Sequence, residues 1–279
     1  MPAAKVKNIV ILILVLVNIL LLCLVIPLSR ERQTQEAETY AKLETLMEGY
    51  GVQLHVETLP NTRTLYTLEF TPEGDSSLSA MQTLLGEMVL MENDSTRYVQ
   101  IYRSDQGVCQ LSRGGGIEAR LENRKTASDL PKAAAEELEA MGLTVAYVTT
   151  PSRSSAGIYT VTAAQQLLDV PVFTAAVHCT FQNGVLSRME GTLYFDTTDL
   201  CRTDDDTCCS AADALVAFLG SRDALGWVGA SVTDVTQGYC RAETASAAVV
   251  RLVPGWRIST DTGEFWVNGI TRQVSVLQA

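Results

Sequence analysis

The chain has 279 residues, 47% of them hydrophobic, with 32 acidic and 21 basic side chains and a net charge of −11. The apolar content excludes disorder as the main state, and the charge excludes a binder of nucleic acid, whose phosphates would repel it. With two histidines in all, zinc and imidazole chemistry have little to draw on.

In chain order, residues Ile9 to Leu28 come first. Eighteen of these 20 are apolar, the exceptions being Asn18 and Pro27. A helix of this length spans about 30 Å of hydrocarbon, and the exit Ile26-Pro27-Leu28-Ser29-Arg30 has no small-x-small cleavage site. The expectation is an uncleaved transmembrane anchor. Lys5 and Lys7 on the short side place the N-terminus in the cytoplasm. The bulk of the chain is then extracytoplasmic, in a single-pass protein of the cell membrane. Ile11, Leu14, Asn18, Leu21 and Val25 form one stripe of that helix, a candidate face for a partner helix with Asn18 as its polar contact.

Beyond Arg30, Tyr40, Leu43, Met47 and Tyr50 recur at helical spacing, and Gly51 is a stop. Val52–Val56 and Tyr66–Phe70 alternate as strands. A second helix is predicted over Ser77–Met91, with Leu78, Met81, Leu85 and Met88 on one face. Strands follow at Arg97–Arg103, Gly107–Leu111 and Ile117–Leu121. Gly114-Gly115-Gly116 lacks the Lys-Ser/Thr and following helix of a phosphate cradle and reads as a flexible hairpin loop. A polar break at Lys125–Asp129 suggests a domain boundary. A helix over Pro131–Met141 follows, capped by Asp129 and stopped by Gly142. Strands are expected at Leu143–Tyr147 and Ile158–Thr162.

The clearest hairpin spans Val172–Phe195 and turns at Asn183-Gly184. An acidic loop with Asp196, Asp199, Asp204, Asp205 and Asp206 comes next. Ser210 then caps a helix over Ala211–Leu219, with Asp213 completing an approximate capping box. The last strands are expected at Trp227–Val235, Ala247–Val253, Trp256–Ser259 and Glu264–Val276. The fold class expected is α+β: an N-terminal transmembrane helix, then two extracytoplasmic domains of antiparallel sheet with packed helices. The tip and anchor take residues 1–33, the first domain 34–126 and the second 127–279.

No HExxH, GxSxG or paired CxxC occurs, and both His55 and His178 fall on the polar side of their strands. No catalytic residue, cofactor, metal or small-molecule substrate is inferred. Six cysteines lie beyond the anchor. A bridge from Cys201 to Cys208 or Cys209 is the disulfide that sequence favours, and free thiols are the alternative.

The C-terminal stretch Leu252-Val253-Pro254-Gly255-Trp256-Arg257-Ile258, followed by Phe265-Trp266-Val267-Asn268-Gly269-Ile270, resembles the ending of the YycI-type regulatory proteins of Gram-positive bacteria. There a Pro-x-Trp strand turns into a hairpin with an aromatic-Val-Asn segment. Pro254, Trp256, Val267 and Asn268 carry that likeness. Gln165–Phe173, Phe181–Gly184 and Glu190-Gly191 are similar to the same family, and related PepSY-like modules end alike. The resemblance implies a non-enzymatic bitopic accessory protein of a cell-envelope two-component system. Its partners would be a sensor histidine kinase and a YycH-like protein, engaged through membrane and outer contacts. The alternative it leaves is a PepSY-like extracytoplasmic inhibitor or chaperone of a peptidase.

Overall fold

The computed structural model describes residues 11, 13–18, 35, 37–72, 75–94, 99–244, 246 and 249–277. Sheet dominates, at 46% against 23% helix, and the expected architecture is corrected in its first part. Among the described residues no helix is long and apolar enough to cross a membrane. A crossing needs about 20 apolar helical residues, and the described helix near the start covers residues 11 and 13–18. The single-pass localisation rested on the same segment and is corrected with it.

The helices are α1 (37–49), α2 (Asp75–Leu85), α3 (Leu130–Ala140), α4 (Ala211–Gly220) and α5 (Arg222–Leu225). The strands before α3 are β1 (Gln53–Leu54), β2 (Tyr66–Phe70), β3 (Val89–Asp94), β4 (Val99–Ser104), β5 (Gly107–Ser112) and β6 (Gly116–Leu121). Between α3 and α4 run β7 (Val145–Val148), β8 (Ser152–Ser155), β9 (Ile158–Leu167), β10 (Val170–Gln182), β11 (Val185–Thr192) and β12 (Cys201–Thr207). After α5 come β13 (Ser231–Ala242), β14 (Val250–Thr260), β15 (Glu264–Asn268) and β16 (Val274–Val276).

They join in one sheet with the path β12-β2-β14-β13-β10-β11-β6-β5-β4-β3. Two cores sit on it. In the first, Leu43 and Met47 of α1 and Ala214, Leu215 and Phe218 of α4 cover the part built from β2, β13, β14 and β15. In the second, Met81 and Leu84 of α2 and Ala134 and Leu138 of α3 cover the part built from β5, β6, β9, β10 and β11. Each apolar helix face closes one side of the sheet, which an antiparallel sheet with one wet face requires.

Strand β10 belongs to both cores: Val172 and Ala175 face the first, and Val177, Cys179 and Phe181 the second. Its crossing is a single parallel pairing, Val172 with Tyr239 of β13. The second core draws on residues from both sides of the polar break at Lys125–Asp129. The chain therefore leaves the first core at α2, builds the second through β11 while touching the first again at Val170, Val172 and Ala175, and returns to the first from Tyr194.

Local signals explain most elements. Asp129 accepts from the Lys132 amide at the start of α3, and Gly142 takes φ 83 at its end. Asn183 (φ 52) and Gly184 (φ 79) turn the β10–β11 hairpin. Strand β8, helix α5 and the union of two expected strands in β14 differ from expectation, as do two elements that bear on the site. The helix predicted to run to Met91 stops at Leu85, where Gly86 has φ 71, and Val89–Asp94 is a strand. Part of the acidic loop is also a strand, β12, whose seven residues are all exposed. Gly115 is not a flexible loop residue: at φ 93, an added Cβ would lie 2.5 Å from the Leu193 carbonyl oxygen and 2.9 Å from the Tyr194 ring.

Candidate functional site

The catalytic candidates do not converge. His55 is exposed. His178 is half-buried, its Nδ1 2.8 Å from Thr162 Oγ1 on the neighbouring strand. Among the described residues no group of three His, Cys, Asp or Glu side chains could hold a metal ion. A cleft of about 660 Å³ opens between α1, the 57–62 loop and the start of α4. Its titratable side chains are Glu57 and Tyr40, and the Tyr40 hydroxyl donates to the Val56 carbonyl at 2.5 Å. Tyr40 is thereby tied to a backbone carbonyl, which leaves Glu57 as the other titratable side chain of that lining.

The transmembrane stripe falls partly on the described residues. Ile11, Leu14 and Asn18 are helical and exposed, and Asn18 Nδ2 donates to the Leu14 carbonyl of its own helix at 2.8 Å. Leu21 and Val25 lie outside the described residues.

The expected disulfide is corrected. Cys201, Cys208 and Cys209 are free thiols, as are Cys109, Cys179 and Cys240. Cys201 pairs with Glu69, whereas the Cys208 amide bonds the Leu65 carbonyl four residues along the same partner segment. Four residues of strand are about 13 Å, beyond the roughly 7 Å that a disulfide spans.

The structure instead brings Cys208 and Cys209 to the C-terminal motif. Trp256 is fully buried and pairs with Val267; its Nε1 donates to the Cys209 carbonyl at 2.9 Å. The Asn268 side chain accepts from the Ile270 and Thr271 amides, which turns the chain. The Gly269 amide then reaches the Pro254 carbonyl at 2.8 Å, and the Gly269 carbonyl accepts from Cys209 at 2.8 Å. The four motif residues thus fold the end of the chain around the two cysteines. Burial pushes the thiols of Cys109 and Cys179 up to about 12, and Cys240 upward too. Cys209 goes the other way, to about 7. The adjacent Cys208 side chain and Arg272 lower it, outweighing its partial burial and the Asp213 carboxylate.

Two buried glutamines escaped sequence reasoning. Gln165 accepts from the Tyr194 amide at 2.9 Å and donates to the Tyr194 carbonyl at 2.8 Å. Gln237 does the same for Arg63, at 2.8 and 3.0 Å. Each replaces a missing strand neighbour for one backbone residue.

The least satisfied surface is β3. Along the main path of the sheet it is the terminal strand, paired with β4 and with no strand on its other edge among the described residues. Val89, Leu90 and Met91 are 65%, 47% and 58% exposed. Natural edge strands are blunted by charge, proline or bulges, as the opposite terminus is: β12 carries Arg202, Asp204, Asp205 and Asp206. Strand β3 exposes three consecutive apolar residues, with a break in register at Met91, before Glu92, Asn93 and Asp94.

Searches of protein-family models and of curated proteins gave no match to this chain.

Proposed function

We propose that the chain works by binding another protein, with the open edge of β3 as its contact, and not by transforming a substrate. The observation that carries this reading is the exposed Val89-Leu90-Met91 run on a strand edge that is unpaired among the described residues. Such an edge accepts an added strand: backbone groups supply affinity, and alternate side chains supply specificity. A strand pairing antiparallel with β3 meets its acidic C-terminal half with its own N-terminal half. The partner strand therefore carries basic residues first and apolar residues after them. The likeness of the C-terminal hairpin to YycI-type proteins supports a regulatory role, in which the partner is a sensor histidine kinase of a cell-envelope two-component system.

Purified protein mixed with the sensor domains of such kinases tests this. Wild type binds one of them, Met91→Lys weakens binding at least ten-fold, and Val228→Lys, an exposed substitution remote in sequence from β3, leaves it unchanged. Met91→Lys keeps wild-type stability, because exposed substitutions shift it by about 0.5 kcal/mol or less. Failure to bind any of these domains overturns the kinase reading. Equal binding by Met91→Lys overturns the β3 contact.

A further inference from the structure

We propose that Asn183 is a site of spontaneous covalent modification: the Gly184 nitrogen closes on the Asn183 side-chain amide, and water opens the ring to aspartate or isoaspartate at the tip of the β10–β11 hairpin. Asn-Gly occurs twice in the chain, at 183–184 and 268–269. It is the dipeptide most prone to this ring closure, because glycine has no Cβ to hinder its nitrogen. The fold treats the two copies differently. Asn183 (φ 52) and Gly184 (φ 79) are the central residues of a tight turn closed by the Gln182–Val185 pair. Asn183 is exposed, and the Gly184 N–H donates to no backbone carbonyl among the described residues. Gly157 leaves the carboxamide room, since a Cβ there would lie 2.3 Å from Asn183 Oδ1. Two bonds hold the turn, Asn183 N–H to the Gly157 carbonyl and Ala127 N–H to the Gly184 carbonyl, both 2.7 Å. Neither uses the Asn183 carboxamide or the Gly184 nitrogen. At the second copy both reacting groups are held. The Gly269 N–H donates to the Pro254 carbonyl at 2.8 Å, and Asn268 Oδ1 accepts from the Ile270 and Thr271 amides at 2.9 and 3.0 Å. Gly269 is also buried.

The atoms balance in two steps. The Gly184 nitrogen gives its proton to hydroxide and bonds the Asn183 Cγ, the Cγ–Nδ2 bond breaks, and ammonia leaves with a proton from water. A cyclic imide results. Water then adds at either imide carbonyl. Opening at Cγ leaves aspartate; opening at the main-chain carbonyl leaves isoaspartate, with the chain running through Cγ. No electrons are exchanged, and water is the only co-reactant. Both products add a negative charge. Isoaspartate also lengthens the main chain of the turn, so the Ala127–Gly184 bond is given up.

The test ages the full chain in mildly alkaline buffer at body temperature, read by peptide mass spectrometry. The Asn183 peptide should take up the mass of amide-to-acid conversion at least about ten-fold faster than the Asn268 peptide, because ring closure at Asn268 must break three hydrogen bonds. In urea-unfolded protein the two rates should converge. Hydroxylamine, which cleaves the imide, should cut the folded chain between residues 183 and 184. Asn183 converting no faster than Asn268 in the folded protein overturns the proposal. The same rate difference surviving in urea overturns its structural cause, and conversion without hydroxylamine cleavage overturns the ring step.

Discussion

At the scale of single residues, polar groups in the interior explain more than charges outside. Gln165 and Gln237 are nearly fully buried, yet each spends both ends of its amide on one backbone residue. Removing such an amide strands a buried N–H and C=O pair, which costs about 1–3 kcal/mol. Gln165→Leu should therefore lower unfolding stability by that amount in a denaturant titration, although it is more apolar, because the Tyr194 backbone it serves is buried. A neutral or stabilising result would show the Tyr194 backbone finding other partners. The surface pairs Arg188–Glu118 and Arg188–Glu190, at 3.0 and 2.9 Å, sit on partly exposed side chains and contribute little. The buried thiols set the alkaline limit. Cys109 and Cys179 are raised from 9.0 to about 12, so the unfolded chain deprotonates them first. Stability they preserve below pH 9 is lost as pH rises from 9 towards 12, on the order of one kcal/mol per pH unit for each. Replacing both by alanine should flatten the fall in stability between pH 9 and 10. An unchanged slope would assign that fall to other groups.

At the scale of elements, turn chemistry was legible and strand partners were not. Asn183-Gly184, the Asp129 and Ser210 caps and the helix stop at Gly142 stand where residue identity places them. Strand β3 was hidden inside a helix because Met81, Leu85 and Met88 keep helical spacing across Gly86. The left-handed φ of 71 at that glycine ends α2, and Val89–Asp94 then answers to β4 instead of to its own periodicity. The edge proposed as the binding contact was invisible for that reason. The acidic stretch became β12 through pairing with β2, which no local pattern announces. The Gly114–Gly116 loop shows the same dependence on tertiary context. Gly114 accepts from the Arg241 guanidinium at 3.1 Å and Gly115 from the Leu193 amide at 2.8 Å, so the loop is a packed junction between the two parts of the sheet. Gly115→Ala should cost about 2 kcal/mol or more, from strain at positive φ together with the clash, seen as a lowered Tm. Wild-type stability in that variant would mean that the β5–β6 hairpin tip moves freely.

At the scale of the whole molecule, one sheet carries two cores, and β10 is common to both. The sequence marks a polar break at Lys125–Asp129, but β6 pairs with β11 across it in five consecutive registers. Periodicity reports which face of a strand is buried and is silent about which strand lies beside it, so local signals cannot place the return to the first core from Tyr194. The two ends of the sheet differ in a way that bears on function: a wholly polar strand at β12 apart from Cys201, and at β3 an exposed apolar run that precedes Glu92 and Asp94. Amide hydrogen exchange of the protein with and without a bound kinase sensor domain tests the role of β3 most directly. The amides of Val89–Asp94 should gain protection on binding while those of β12 stay unchanged; protection confined to β12 or to the C-terminal hairpin, with β3 exchanging as before, would contradict it.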